Sequence, residues 1–197
     1  MKDQAMIFRT ILGIFLLFGF VFLSGAQGFD VEPLIKTIRQ QYAIIAGKEI
    51  PNLQIDTLDF TEPWPDDEDG YGGTWSIFEI YHTGEDTFKI RHENGWDEGG
   101  AYFAEIVEVY FWDKKPFFFF VQSEGLWEAL KKETRVYLHN RQIIRKLYKE
   151  GIFYTPEEGS FDLDMSQLPN QTMPIRDQDL TEVYDRISGF RSELANH

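Results

Sequence analysis

The sequence predicts an α+β fold: an N-terminal helix packed on an antiparallel β-meander of about six strands, with a C-terminal helix allowed by the pattern. Three observations predict it. Apolar residues recur at helical spacing near the N-terminus, and aromatic and β-branched runs broken by short polar turns follow. A helical stripe then returns near the C-terminus.

Ahead of these elements, Lys2 and Arg9 accompany Asp3, and Ile11 to Leu23 is unbroken and apolar before Ser24-Gly25-Ala26. A basic start, an apolar run and a small-x-small end define a secretory signal. The run falls short of the roughly 20 residues that cross a bilayer; a retained anchor is the alternative. Residues 1–26 are therefore expected to be a signal peptide cleaved after Ala26. Residues 27–197 would form a single α+β domain, periplasmic or secreted, with no membrane span after cleavage.

The exported chain has no cysteine, so no disulfide braces it. Its stability must come from a core, for which 18 Phe, 9 Tyr and 5 Trp supply apolar area. A chain of this length buries roughly 70% of its unfolded surface. The formal net charge is −14, and loss of Lys2, Arg9 and Asp3 with the leader makes it one unit more negative. Such a chain repels phosphate backbones and anionic lipid surfaces, which argues against a nucleic-acid partner. The charge reads as solubility.

Phe29 to Ala46 carries Leu34, Ile38, Tyr42 and Ile45 at intervals of three or four. Asp30 can cap this helix, Pro33 suits its first turn, and Gly47 can close it. An extended stretch, Ile50 to Phe60, leads into the acidic loop Pro63 to Gly73. The strands are expected at Thr74–His82, Thr87–Glu93, Ala101–Trp112, Lys115–Gln122, Glu133–His139 and Gln142–Tyr148. Short turns at Thr83–Asp86, Asn94–Gly100, Asp113-Lys114 and Asn140-Arg141 make them an antiparallel meander. The segment around 155–176 looks irregular. Asp177 to Leu194 places Leu180, Val183, Tyr184, Ile187 and Phe190 on one side of a final helix.

Val109 to Phe118 (VYFWDKKPFF) aligns with Val136 to Arg145 (VYLHNRQIIR) as one hairpin used twice. Tandem tyrosine–apolar–turn–apolar hairpins, behind a helix and a signal peptide, resemble a group of small secreted or periplasmic bacterial proteins without assigned activity. The resemblance covers about Trp75 to Tyr148 and implies a meander and an envelope location. It brings no catalytic residues. The chain departs from the group's Asn-Gly-Lys turn, having Asp113-Lys114-Lys115 and Asn140-Arg141-Gln142.

A two-residue turn at Asp113-Lys114 pairs Trp112 with Lys115 and Phe111 with Pro116. Simple alternation then puts Val107, Val109, Phe111, Pro116, Phe118 and Phe120 on a fully apolar core face. The other face carries Ile106, Glu108, Tyr110, Trp112, Lys115, Phe117, Phe119 and Val121. The second hairpin extends it with Arg135, Tyr137, His139, Gln142, Ile144 and Lys146. This mixed face has three readings: an ordinary sheet surface with cross-strand stacking, a surface covered by chain such as Ile152 to Met165, or a partner surface. For the partner surface, the expected binding residues are Tyr110, Trp112, Phe117 and Tyr137.

Catalytic and metal motifs are sparse. The acidic loop matches an EF-hand at Asp67, Asp69 and Gly70, but Pro65 and Ser76 stand where carboxylates belong. His82, His92, His139 and His197 lack metal spacing and read as solvent-facing strand residues, with His82 paired to Thr87. No nucleophile elbow or phosphate loop occurs. Glu79, Glu105 and Glu108 lie on strands and supply the carboxylates a glycosidase would need. Asn170-Gln171-Thr172 is a glycosylation sequon that acts only in a eukaryotic secretory route.

The expectation is a non-enzymatic exported protein, without cofactor or metal, that binds a protein partner or a second copy of itself through the mixed face. Two alternatives are a hydrolase of envelope glycans or peptides using strand carboxylates, and a carrier of small apolar ligands in a pocket lined by Phe118, Phe120 and their neighbours.

Overall fold

The computed structural model describes residues 30–63, 72–98, 101–126, 129–153 and 163–195. The expected signal peptide and most of the acidic loop lie outside the described residues. The chain divides into two compact units, Met1–Pro33 and Leu34–His197, and the second holds the whole sheet.

Helix α1 spans Glu32–Ala46. The Asp30 carboxylate accepts the Glu32 N–H at 3.1 Å, as the sequence predicts for a cap. At the other end Gly47 N–H reaches Ala43 O at 2.8 Å, but Lys48 (φ 55) rather than Gly47 takes the left-handed conformation. The strands are β1 Gln54–Asp59, β2 Glu62–Pro63, β3 Gly73–Thr83, β4 Asp86–Glu98, β5 Ala101–Trp112, β6 Lys115–Gly125, β7 Leu130–His139, β8 Gln142–Ile152 and β9 Gln171–Thr172. A 3-10 turn lies at Met165–Gln167, and helix α2 spans Asp177–Ala195.

The fold is α+β as predicted, but the strand count is larger than six. Eight strands follow one antiparallel path, β1-β3-β4-β5-β6-β7-β8-β9, and β2 also pairs with β3. The six long strands β3–β8 correspond to the six alternating runs. Strands β1, β2 and β9 escape pattern recognition because backbone pairing alone makes them strands: β1 is almost wholly exposed, and the other two have two residues each. The glycine-rich Asn94 to Gly100 is also more regular than expected, with β4 running through it to Glu98. Gly95 sits there because a Cβ would stand 2.3 Å from both the Trp75 ring and Phe103 O. A glycine within a strand marks such a close approach.

Both two-residue turns form as predicted. Asp113 and Lys114 have φ 50 and 62, and Asn140 and Arg141 have φ 48 and 63. Two successive positive φ values give the mirror-image turn whose twist matches the flanking strands. The β6–β7 ladder reaches only to Phe118, which leaves Pro116, with no N–H to donate, beyond it.

The register departs from simple alternation one step beyond the turn. Phe111 pairs with Pro116 as expected, but Tyr110 pairs with Phe118, leaving Phe117 as an extra residue in a β-bulge. The β7–β8 hairpin repeats this: Leu138 pairs with Ile143 and Tyr137 with Arg145, with Ile144 extra. A third copy lies in β3–β4, where His82 pairs with Thr87 and Tyr81 with Lys89, with Phe88 extra. The hairpin is therefore used three times, and its tyrosines fall in one row, Tyr81–Lys89–Tyr110–Phe118–Tyr137–Arg145.

Each bulge moves the returning strand's side chains to the opposite face. Phe119 and Val121, expected on the mixed face, join the core. Phe118 and Phe120, expected in the core, sit on the mixed face opposite Tyr110 and Glu108. Lys146 likewise moves to the core side.

The core lies between the sheet and α2: Phe78, Ile90, Val107, Val109, Phe111, Phe119, Val136 and Leu138 pack with Val183, Ile187 and Phe190. Two ion pairs tie α2 down, Lys146 to Asp179 at 2.8 Å and Arg186 to Glu105 at 2.6 Å.

Candidate functional site

The tyrosine-bearing face is covered. Helix α1 has the stripe the sequence shows, with Ile35, Ile38 and Ile45 buried. The Tyr42 ring centroid is 4.9 Å from Tyr110 and 5.2 Å from Phe118. Nearer β8 the chain after the sheet adds cover: buried Lys149 donates to Met165 O at 2.6 Å. Gly151 leaves room for Leu163 and Leu168, whose methyls lie 2.8 Å from where its Cβ would be. Each face thus has its own helix.

Of the residues expected to meet a partner, Tyr110 is 1% exposed, Tyr137 4% and Phe117 6%. They pack inside the chain and do not form an open patch. Trp112 is half-buried at a hairpin tip, where it borders a hollow of about 420 Å³ with Phe88, Asp113 and Lys114.

The charges on this face pair laterally. Glu79, Arg91 and Glu108 share one cross-strand row, with Arg91 3.6 Å from Glu79 and 3.9 Å from Glu108. Lys89 is buried and donates to Glu108 at 2.6 Å, its ammonium 5.0 Å and 5.2 Å from the Tyr81 and Tyr110 ring centroids. Tyr110 donates to the other Glu108 oxygen at 2.7 Å. Burial first, then the Glu108 charge and hydrogen bond, push the Tyr110 hydroxyl far above the usual phenol range. This belt is neutralised structure. Glu105, the third strand carboxylate, is on the other face with Arg186, so the three do not converge in one cleft.

His92 is not solvent-facing as expected. Its ring stacks on Phe78 (4.1 Å, 11°) and meets Phe190 edge-on at 5.2 Å. Its Nε2 lies 2.9 Å from Ser76 Oγ. Burial lowers its pKa, with Glu105 opposing and Arg186 adding to the effect. Phe78 and Phe190 also meet each other edge-on at 5.6 Å, so the His92 ring is one member of an aromatic cluster on the core side. His82 pairs with Thr87 as predicted and contacts Asp56 at 3.0 Å.

What α1 does not fill is a cavity of about 350 Å³ between it and strands β6–β8. Its apolar wall is Ile38, Tyr42, Phe118, Phe120, Tyr137 and Leu147, and its polar lining is Arg39, Arg135 and Asn170. The bulges build it by turning Phe118, Phe120 and Leu147 of the returning strands toward α1, beside Arg135 and Tyr137, which alternation already puts on that face. Phe118 and Phe120 are the residues the carrier alternative places in a pocket, though on the opposite face from the one expected. Arg39, Arg135, Leu147 and Asn170 had no place in that pocket. The available signal was the apolar stripe of α1, which needs a face of its own. A hollow of about 480 Å³ lined by Trp96, Tyr102, Phe103 and Leu130 lies toward the other ends of the hairpins. It adjoins in sequence the undescribed residues 99–100 and 127–128.

Among the described residues no group of acidic or histidine side chains is placed to hold a metal ion, and no helix is long and apolar enough to cross a membrane. No family model, no curated protein and no solved structure matches the chain.

Proposed function

We propose that the protein is an exported, non-enzymatic carrier that holds a small, largely apolar ligand between α1 and the sheet. The observation that supports this reading is the cavity beneath α1. Its volume falls within the roughly 300–1,000 Å³ of ligand sites, and its lining of aromatic rings with few polar groups has the usual composition of such sites. The strand carboxylates are already paired with cations, which favours binding over hydrolysis.

The neutral fluorophore N-phenyl-1-naphthylamine tests the site. The folded protein should bind one molecule per chain with enhanced emission. Leu147→Trp, which fills the cavity, should abolish binding while the melting temperature stays level or rises. No enhancement, or equal enhancement in the filled variant, would remove the carrier reading.

The protein-partner reading keeps Trp112, the one expected residue on the accessible hairpin tips, and is the second reading for that reason. Export rests on residues 1–26. Intact-mass analysis of the native protein should place its N-terminus at Gln27, and a mass retaining Met1 to Ala26 would reject cleavage.

A further inference from the structure

We infer that the occupant of this cavity is a monomeric anionic amphiphile of the fatty-carboxylate class, its head group held by Arg39 and Arg135. The inference rests on the carrier reading and adds the chemistry of the ligand. In a chain with 33 acidic and 19 basic side chains, both charged residues lining the cavity are arginines. Among the described residues Arg39 has no ion-pair partner. Arg135 uses its Nε on Glu133 at 2.6 Å, and Glu133 is shared with Lys149 at 3.4 Å. Among the described residues no hydrogen bond or ion pair engages the Arg135 Nη donors, and a guanidinium fork matches a carboxylate.

The rest of the lining selects the tail. Ile38, Tyr42, Phe118, Phe120 and Leu147 reward apolar surface, so an inorganic anion would lose hydration without that return. A bilayer is the wrong source, because the net charge of −14 repels an anionic membrane at long range. That repulsion is screened over about 8–10 Å in physiological salt, whereas a head group touching arginine feels its immediate neighbours.

Calorimetric titration of the mature chain with sodium decanoate, 1-decanol and decyltrimethylammonium tests the inference. Decanoate should bind one per chain, about tenfold or more tighter than decanol, since hydrogen bonds to charged groups are the stronger kind. Decyltrimethylammonium should bind most weakly. Arg39→Gln and Arg135→Gln should each weaken decanoate about tenfold and leave decanol within about twofold, with unchanged circular dichroism. Should Arg135→Gln misfold, the exposed Arg39→Gln carries the test alone. Equal binding of decanoate and decanol, indifference to the arginine variants, or preference for the cation would overturn the anion inference and leave the cavity reading standing. So would failure of all three while N-phenyl-1-naphthylamine still binds. Failure of the fluorophore as well would remove both.

Discussion

Phe119→Ala is expected to destabilise the protein by about 3–5 kcal/mol, and Phe120→Ala by clearly less. The two residues are adjacent in a run of four phenylalanines, so composition cannot separate them. Register does. Phe119 pairs with Val109 and Val136 and is 3% exposed, inside the cluster that Val183, Ile187 and Phe190 of α2 complete. Truncation there leaves a hole that helix and sheet cannot both close. Phe120 is half-buried, faces Glu108 and Arg135 across the strands, and already borders the cavity, so its loss enlarges an existing space. Denaturant melts of both variants measure the difference. A loss at Phe120 equal to or above that at Phe119 would restore the unbulged register and dismantle the cavity with it.

The same four phenylalanines show why part of the fold was legible and part was not. The turn at Asp113-Lys114 could be read because Asp and Asn tolerate the positive φ that a tight hairpin demands. The six long strands could be read because aromatic and β-branched runs stop at such turns. The bulge could not, because Phe117 to Phe120 is apolar in either register. The choice between registers is made by α1 and α2, which contact the run from opposite sides and lie far from it in sequence. The third hairpin hid for a related reason: Tyr81 to Lys89 shares the spacing of the other two but has Gly84-Glu85 in its turn and few of their residues. The face of α1 was equally illegible. The mixed face looks polar along the chain because Lys89, Arg91, Glu79 and Glu108 alternate with its aromatics. Only lateral pairing across three strands neutralises them and lets a helix lie on top. Of the candidate site, Phe118 and Phe120 were within reach, while Arg39, Leu147 and Asn170 join them only through the topology.

Lys89→Met should cost about 2–4 kcal/mol, because it removes the one hydrogen-bonded counter-charge of a carboxylate in a nearly closed space. The Lys89 side chain is 10% exposed and its partner Glu108 15%. Among the described residues, one Glu108 oxygen takes the ammonium at 2.6 Å and the other takes the Tyr110 hydroxyl at 2.7 Å. Arg91, 3.9 Å away, is beyond hydrogen-bond range and is already engaged by Glu93 at 2.5 Å. The Tyr81 hydroxyl is directed to Glu79 at 3.1 Å. With the ammonium gone, the Glu108 carboxylate keeps the Tyr110 donor and only the more distant Arg91 at 3.9 Å as counter-charge. Adding Glu108→Gln removes the charge and keeps an acceptor for Tyr110, so Lys89→Met/Glu108→Gln should recover more than half of the loss in urea melts. Equal instability of the single and double variants would assign the effect to the packing of the lysine stem between the Tyr81 and Tyr110 rings, and the belt under α1 would then be held by aromatic contact rather than by paired charge.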